Sequence, residues 1–213
     1  MRFLRFARND VLAVIDMKLA LHICCAPDAT TAFERLSSQW QLQGLFYNPN
    51  LYPLSEYNRR EAEARYLSRM WGIAYNEGER DPEPWLRALE GFIEEPEGGE
   101  RCRRCIAHRL EWTAEWSVRN GFDAFATTLT TSPHKNVVFI HEAGVQLEAQ
   151  FGVRYLPETL RKANGFQRSL ELCRLYGLYR QNYCGCFWSL PGIRERYRKN
   201  ISLSGSKAAL INR

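Results

Sequence analysis

The apolar positions of this chain fall into short dense blocks separated by longer amphipathic stretches. Leu19, Ala20, Leu21 and Ile23 form a nearly continuous apolar run between Lys18 and Cys24, the pattern of a strand buried on both faces. Pro27 stops that run, and Asp28 carries the short polar side chain of a helix cap, ahead of an amphipathic stretch through Phe33, Leu36 and Trp40. Gln43 to Asn48 predicts a second strand, closed by the turn signal Asn48-Pro49-Asn50. A helix over about 55–70, charged along one face, leads to a third strand over 72–76 and a short helix over 85–92. An acidic loop containing Pro96, Gly98 and Gly99 precedes a long helix from Cys102 to Asn120, which Gly121 ends. A fourth strand over 123–129 has a threonine-rich end. A helix over 136–151, a short strand at Arg154-Tyr155-Leu156 and a last helix over 166–176 follow.

Strands alternating with helices predict an α/β fold, a three-layer α/β/α sandwich around a mostly parallel sheet. In such sheets working groups gather beyond the carboxyl ends of the strands. Three polar segments lie at predicted strand ends: Cys24 to Asp28, Tyr47 to Asn50 and Thr127 to His134. The 213 residues suit one sizeable domain over 18–194, with an N-terminal extension over 1–17 and a basic, serine-containing tail over 195–213. No apolar run has the length of a membrane span. Arg2, Arg5 and Arg8 begin the extension, but Asn9, Asp10 and Asp16 interrupt it and no small-residue cleavage site follows, so it does not read as a secretory signal. The expected compartment is the reducing cytoplasm, where structural disulfides are disfavoured.

That expectation changes how the seven cysteines are read. Six of them form the tight pairs Cys24-Cys25, Cys102-x-x-Cys105 and Cys184-Gly185-Cys186, spread over most of the chain. Clustered cysteines in such a protein serve as metal ligands or redox groups. Cys102 and Cys105 open a helix among Arg101, Arg103 and Arg104, a setting that favours thiolates facing one metal centre. Cys24 and Cys25 would point to opposite faces of a regular strand, but at a strand end both can face one cavity. Four thiolates suit zinc or a [4Fe–4S] cluster equally, and residue chemistry does not choose. A disulfide across one glycine, Cys184 to Cys186, is strained and easily reduced, so this pair reads as redox-active or as further metal ligands. Cys173 sits among Leu170, Leu172 and Leu175 and reads as core.

Among the four histidines, His22 reads as structural and His108 and His141 as surface or packing groups. His134 stands in Thr131-Ser132-Pro133-His134-Lys135-Asn136, where a strand end meets a helix start and backbone amides with Lys135 can hold an anion. Asn48, Asn50 and Tyr57 can contact a polar ligand, and Asp28 can act as an acid or a ligand. The net charge of +5 and Arg–aromatic neighbours such as Arg65-Tyr66, Tyr179-Arg180 and Tyr197-Arg198 are compatible with a nucleic acid, although ordinary amphipathic faces show the same pattern. There is no P-loop, G-x-G-x-x-G or G-x-S-x-G motif.

Taken together, Leu21-His22-Ile23-Cys24-Cys25-Ala26-Pro27-Asp28, Phe46-Tyr47-Asn48-Pro49-Asn50, Arg101-Cys102-x-x-Cys105, Thr127 to Asn136 and Tyr179-Arg180-Gln181-Asn182-Tyr183-Cys184-Gly185-Cys186 resemble the epoxyqueuosine reductase family of the QueH type, in the family's order over residues 18–190. The resemblance implies a fold similar to nucleotide-binding α-hydrolase-like (HUP) proteins. It implies reduction of epoxyqueuosine to queuosine at the tRNA wobble position, the last step of that modification. Its implied partners are the modified tRNA and an electron donor that the motifs do not name, with no membrane. Carried over by motif, Cys24, Cys25, Cys102 and Cys105 would hold a [4Fe–4S] cluster and Cys184 and Cys186 would form a redox-active pair. The family pattern also implies a second, mononuclear iron with cysteine and aspartate ligands, for which Asp28 and the Cys184/Cys186 pair are candidates. The two roles for that last pair conflict, and both stand at this stage. Tyr47, Asn48, Asn50, Tyr57, His134, Lys135, Asn136, Arg180 and Tyr183 are the candidate substrate contacts. Two other readings use the same residues: an ATP-using or sulfur-transferring tRNA-modifying enzyme, which needs a phosphate loop where this chain has Cys24 to Asp28, and a zinc-stabilised nucleic-acid-binding module.

Overall fold

The computed structural model describes residues 16–190, so most of the predicted extension and all of the basic tail lie outside the described residues. Five strands, β1 (Lys18–His22), β2 (Gln41–Phe46), β3 (Ala74–Glu77), β4 (Ala124–Thr127) and β5 (Arg154–Tyr155), make one sheet in the order β3-β2-β1-β4-β5. Every pairing among the described residues is parallel, with Leu19 opposite Leu42 on one side and Ala124 on the other. The helices are α1 (Ala26–Leu36), α2 (Leu54–Trp71), α3 (Glu83–Ala88), α4 (Glu100–Arg119), α5 (Val137–Phe151) and α6 (Gly165–Tyr176). Short 3-10 turns cover Thr128–Thr131 and Phe187–Ser189.

The alternation of β1 builds the layers. Leu19, Leu21 and Ile23 face a core with Phe33 of α1, Leu67 of α2 and Cys173 of α6. Ala20 faces the opposite core with Leu110 of α4, Phe125 of β4 and Ile140 of α5. Each fully buried Leu, Ile or Phe contributes about 1.5–3 kcal/mol of transfer free energy, which is why both faces of so short a strand are apolar. The result is the expected three-layer sandwich, and Cys173 is the core residue that its apolar surroundings predicted. The chain passes from β1 to β2 on one side, while β4 joins the other side. A crevice therefore opens beyond the carboxyl end of β1, the switch point of a doubly wound sheet.

Several boundaries move for identifiable reasons. Cys25 is extended (φ −166°, ψ 159°) and is the residue before α1, with Pro27 in the first turn. Asp28 therefore lies inside the helix and does not cap it, contrary to the sequence expectation. The helix stops at Leu36, short of Trp40, because β2 starts at Gln41, paired with Lys18. Gly72 takes a left-handed conformation (φ 65°) that ends α2, which delays β3 to Ala74. The threonine-rich end of β4 leaves the sheet at Thr128, where Thr127 Oγ1 accepts from Leu129 N at 3.2 Å.

Candidate functional site: two cavities that share a wall

Beyond β1 the backbone has left the sheet, so the alternation that would separate adjacent side chains no longer applies. Cys24 N donates to Thr128 Oγ1 at 3.1 Å, and that hydroxyl lies 3.4 Å from Cys24 Sγ. The Cys24 and Cys25 sulfurs stand 3.8 Å apart, and Cys24 Sγ donates to Asp28 Oδ2 at 3.2 Å. Thr131 Oγ1 holds the first turn of α1 by donating to Asp28 O at 2.9 Å. The donor atoms of Cys24, Cys25 and Asp28 all lie within 4.8 Å of one another. Burial, then the neighbouring Cys24 sulfur, pushes the Asp28 carboxyl well above the usual range. The hydrogen bond with Cys25, then burial, pushes the Cys24 thiol up.

A second group forms opposite. Cys102 and Cys105 lie on the first two turns of α4, three residues apart and so on one face. Gly98 N donates to Cys102 Sγ at 3.2 Å. The loop carrying Cys184 and Cys186 reaches the same place from the far end of the chain. Arg60, buried on α2, fixes it by donating to Cys184 O at 3.0 Å and Tyr183 O at 3.2 Å, while Glu56 Oε1 accepts from its Nε at 2.7 Å. Gly185 has φ 114°, and a Cβ there would come within 2.4 Å of Leu51 Cδ2 and 2.8 Å of Arg60 Nη1, so only glycine fits between the two cysteines. Cys102, Cys105, Cys184 and Cys186 line one narrow cavity, walled also by Trp85, Leu89 and Ile106, with about 20 Å³ of free space. All seven cysteines are free thiols.

Two cations, the buried Arg109 and the half-buried Lys135, join this cavity to a larger one. Lys135 Nζ donates to Cys184 Sγ at 3.0 Å. The Cys186 hydrogen bond and, against burial, the Lys135 charge hold the Cys184 thiol well below its ordinary range, and Cys186, as the donor, is pushed up. Burial opposes the Lys135 ammonium, but the Cys184 charge outweighs it and raises its pKa. Arg109 is 3% exposed; its Nε donates to Cys105 O and its Nη1 to Asn48 Oδ1, both at 3.2 Å. Arg109, Lys135 and Cys184 line both cavities.

The larger cavity holds about 400 Å³ and brings together Cys24, Asp28, Asn48, Asn50, His134, Lys135, Tyr183 and Cys184 from the candidate residues. Asn48 is fully engaged, since its Nδ2 also donates to Ile23 O at 2.8 Å. Tyr183 donates its hydroxyl to Tyr52 O at 2.6 Å and so serves as wall. Four of the candidate substrate contacts do not line it. Tyr57 is buried edge-on against Phe46 and donates to Glu77 Oε1 at 2.9 Å, because the β2–β3 pairing sets Glu77 beside Phe46. Tyr47 stacks on Trp112 (4.3 Å between centroids, 11° between planes), with its hydroxyl 3.0 Å from His108 Nε2. Asn136 caps α5, accepting from Phe139 N at 3.1 Å, and Arg180 is exposed. Sequence reasoning missed Arg109, Gln181 and Arg60. Arg109 was findable: positions 102, 105 and 109 follow the i, i+3, i+7 spacing of one helix face. Gln181 stood inside a quoted motif, and its amide Nε2 donates to Cys25 Sγ at 3.0 Å.

The profile of the family described as epoxyqueuosine reductase QueH matches residues 19–191. This chain belongs to that family. A QueH relative from Streptococcus pyogenes serotype M1 is 38% identical across 80% of this chain and 69% of its own. One from Thermotoga maritima is 37% identical across 83% of this chain and 92% of its own. Both are named epoxyqueuosine reductase QueH. Among solved structures, the U34-tRNA thiolase NcsA from Methanococcus maripaludis, described with its [4Fe–4S] cluster, aligns at a TM-score of 0.53 over 90% of this chain and 67% of that one. At 16% identity that likeness is one of fold. The QueH motifs read from the sequence are the segments that meet around the two cavities.

Proposed function

We propose that this QueH protein reduces epoxyqueuosine to queuosine in tRNA, working in the cytoplasm alongside its substrate. Removing an epoxide oxygen to leave an alkene takes two electrons and two protons and releases water. The observation that carries the reading is the meeting of six thiols and one carboxylate at the sheet's switch point, around a cavity of nucleoside size.

The donor sets fit two inorganic groups. Four thiols on one cavity suit a [4Fe–4S] cluster. The indole Nε1 of Trp85, on the same wall, is buried without an acceptor among the described residues, and inorganic sulfide is an acceptor. The cavity as it stands holds little more than one water, so its thiol walls part to admit a larger group. Cys24, Cys25 and Asp28 are three potential anions within 4.8 Å, and a cation among them relieves their mutual repulsion. We assign Cys102, Cys105, Cys184 and Cys186 to the cluster and Cys24, Cys25 and Asp28 to a single iron. This divides the thiols differently from the motif carry-over, which grouped Cys24 and Cys25 with Cys102 and Cys105 and left Cys184 and Cys186 either as a redox-active pair or, with Asp28, as ligands of the second iron.

When bound, the cluster would supply single electrons and the iron a Lewis acid for the epoxide oxygen. The chain's own residues do the rest. Arg109 offsets the negative charge of the thiols from within the protein and, through Asn48, ties α4 to the end of β1. Lys135 Nζ, on the wall common to both cavities, holds a proton where the substrate's oxygen would depart. Tyr183 and Leu51 shape the larger cavity for a nucleotide turned out of the anticodon loop. The test is anaerobic protein incubated with epoxyqueuosine tRNA and a chemical reductant, followed by mass spectrometry of the nucleosides. Conversion to queuosine is expected; intact epoxide with iron-loaded protein contradicts the reading.

A further inference from the structure

Among the described residues, two buried side-chain oxygens at the larger cavity have no hydrogen-bond donor: Asn50 Oδ1 and Gln181 Oε1. Asn50 is 3% exposed. Its neighbour Asn48, in the same turn, uses both ends of its amide within the protein. Gln181 Nε2 donates to Cys25 Sγ at 3.0 Å, which leaves Oε1 as the free end of that amide. Buried acceptors are almost always partnered, and leaving one without a donor is costly. Two of them, from positions 50 and 181, on one cavity wall, point to a ligand that brings the missing hydrogens.

We infer that Asn50 and Gln181 are specificity-determining acceptors for hydroxyl groups of the epoxide-bearing ring. The inference rests on the reductase reading and names the residues that recognise its substrate. The placement selects hydroxyls over the hydrogens of the base. Because Gln181 is bonded to Cys25, its free oxygen stands beside the Cys24, Cys25 and Asp28 trio. On the reductase reading that is where the epoxide ring would lie, and the donors it brings are its hydroxyls and the amine that joins it to the base. An unmodified guanosine has no such ring. Gln181 thereby links recognition of the ring to the sulfur next to the reacting oxygen.

The experiment uses the full chain under anaerobic conditions with two anticodon stem-loop RNAs, one carrying epoxyqueuosine and one carrying guanosine at the wobble position. Asn50→Leu and Gln181→Met keep side-chain size and remove the acceptor. Wild type is expected to bind the modified RNA more tightly. Each variant is expected to lose about tenfold of that affinity, the cost of one hydrogen bond, with binding to the guanosine RNA unchanged. Asn50→Leu is also expected to melt no lower than wild type, because a donorless acceptor has been removed. Variants that keep full discrimination overturn the inference, as do variants that weaken on both RNAs equally and melt lower, the signature of a structural role. A wild type that neither discriminates nor reduces the modified RNA would instead overturn the reductase reading, and this inference with it.

Discussion

Among the described residues, the two cavities leave opposite hydrogen bonds unmade. The narrow one has four thiols and an indole N–H, that of Trp85, without an acceptor. The large one has two amide oxygens, those of Asn50 and Gln181, without a donor. On the proposed function the first suits an acceptor-rich group and the second a donor-bearing organic ligand, with Arg109 and Lys135 as the cationic partition between them. Fold alone would not separate these roles, because both cavities open from the same switch point.

The partition is where the two cavities are most sensitive to substitution. Cys184 lines both cavities, whereas Cys173 lies in the core behind α1. Cys184→Ser is expected to drop epoxide reduction to background. Cys173→Ser should retain activity and cost about 1–3 kcal/mol of stability, from a hydroxyl buried without a designed partner. Turnover assays and denaturant titrations on the two proteins check this. Arg109→Leu is next in size. Removing a buried cation that lines both cavities and holds Asn48 and Cys105 in place is expected to lower activity about 10–100-fold, as loss of an outer-shell partner does. Arg109→Lys should recover part of that, since it restores the charge without the fork.

Arg60→Ala probes the loop between the two cavities. Breaking its buried pair with Glu56 and its bonds to the Tyr183 and Cys184 carbonyls is expected to cost about 3 kcal/mol by denaturant unfolding. The smallest effect lies away from both cavities. His141, bonded to Tyr155 and Thr159, has its pKa lowered by burial. Its folded-state value lies below the unfolded one, so the stability it contributes is full above about pH 6.5 and is lost as pH falls through the folded value. Stability should therefore decline on acidification from neutral pH. His141→Gln should remove only its own share of that slope, since the pKa values of His22 and His108 are lowered by burial too, while leaving both cavities intact.

Much of this was legible before the fold was known. The apolar run at Leu19 to Ile23 specified a central strand, and the three strand-end segments did converge, because a doubly wound sheet gathers its strand ends. Element boundaries were less legible where pairing decided them, as at Gln41, which Lys18 recruits into β2. Tyr57 looked like a ligand contact because its burial depends on a strand register, with Glu77 set beside Phe46, that no local pattern encodes. The division of the cysteines was also hidden. Six similar thiols carry no label for which cavity they face, and only the extended Cys25 and the first turn of α1 turn Cys24 and Cys25 toward Asp28.

The central claim is that the thiols serve two inorganic groups, and counting iron and acid-labile sulfide in anaerobically prepared wild type, Cys102→Ser and Cys24→Ser proteins tests it most directly. Wild type should carry four sulfides and five irons, the content of one [4Fe–4S] cluster and a single iron. Cys102→Ser should lose the sulfide, and Cys24→Ser should keep it while losing one iron. Equal loss of sulfide from both variants, or a wild type holding zinc and no sulfide, would contradict the account.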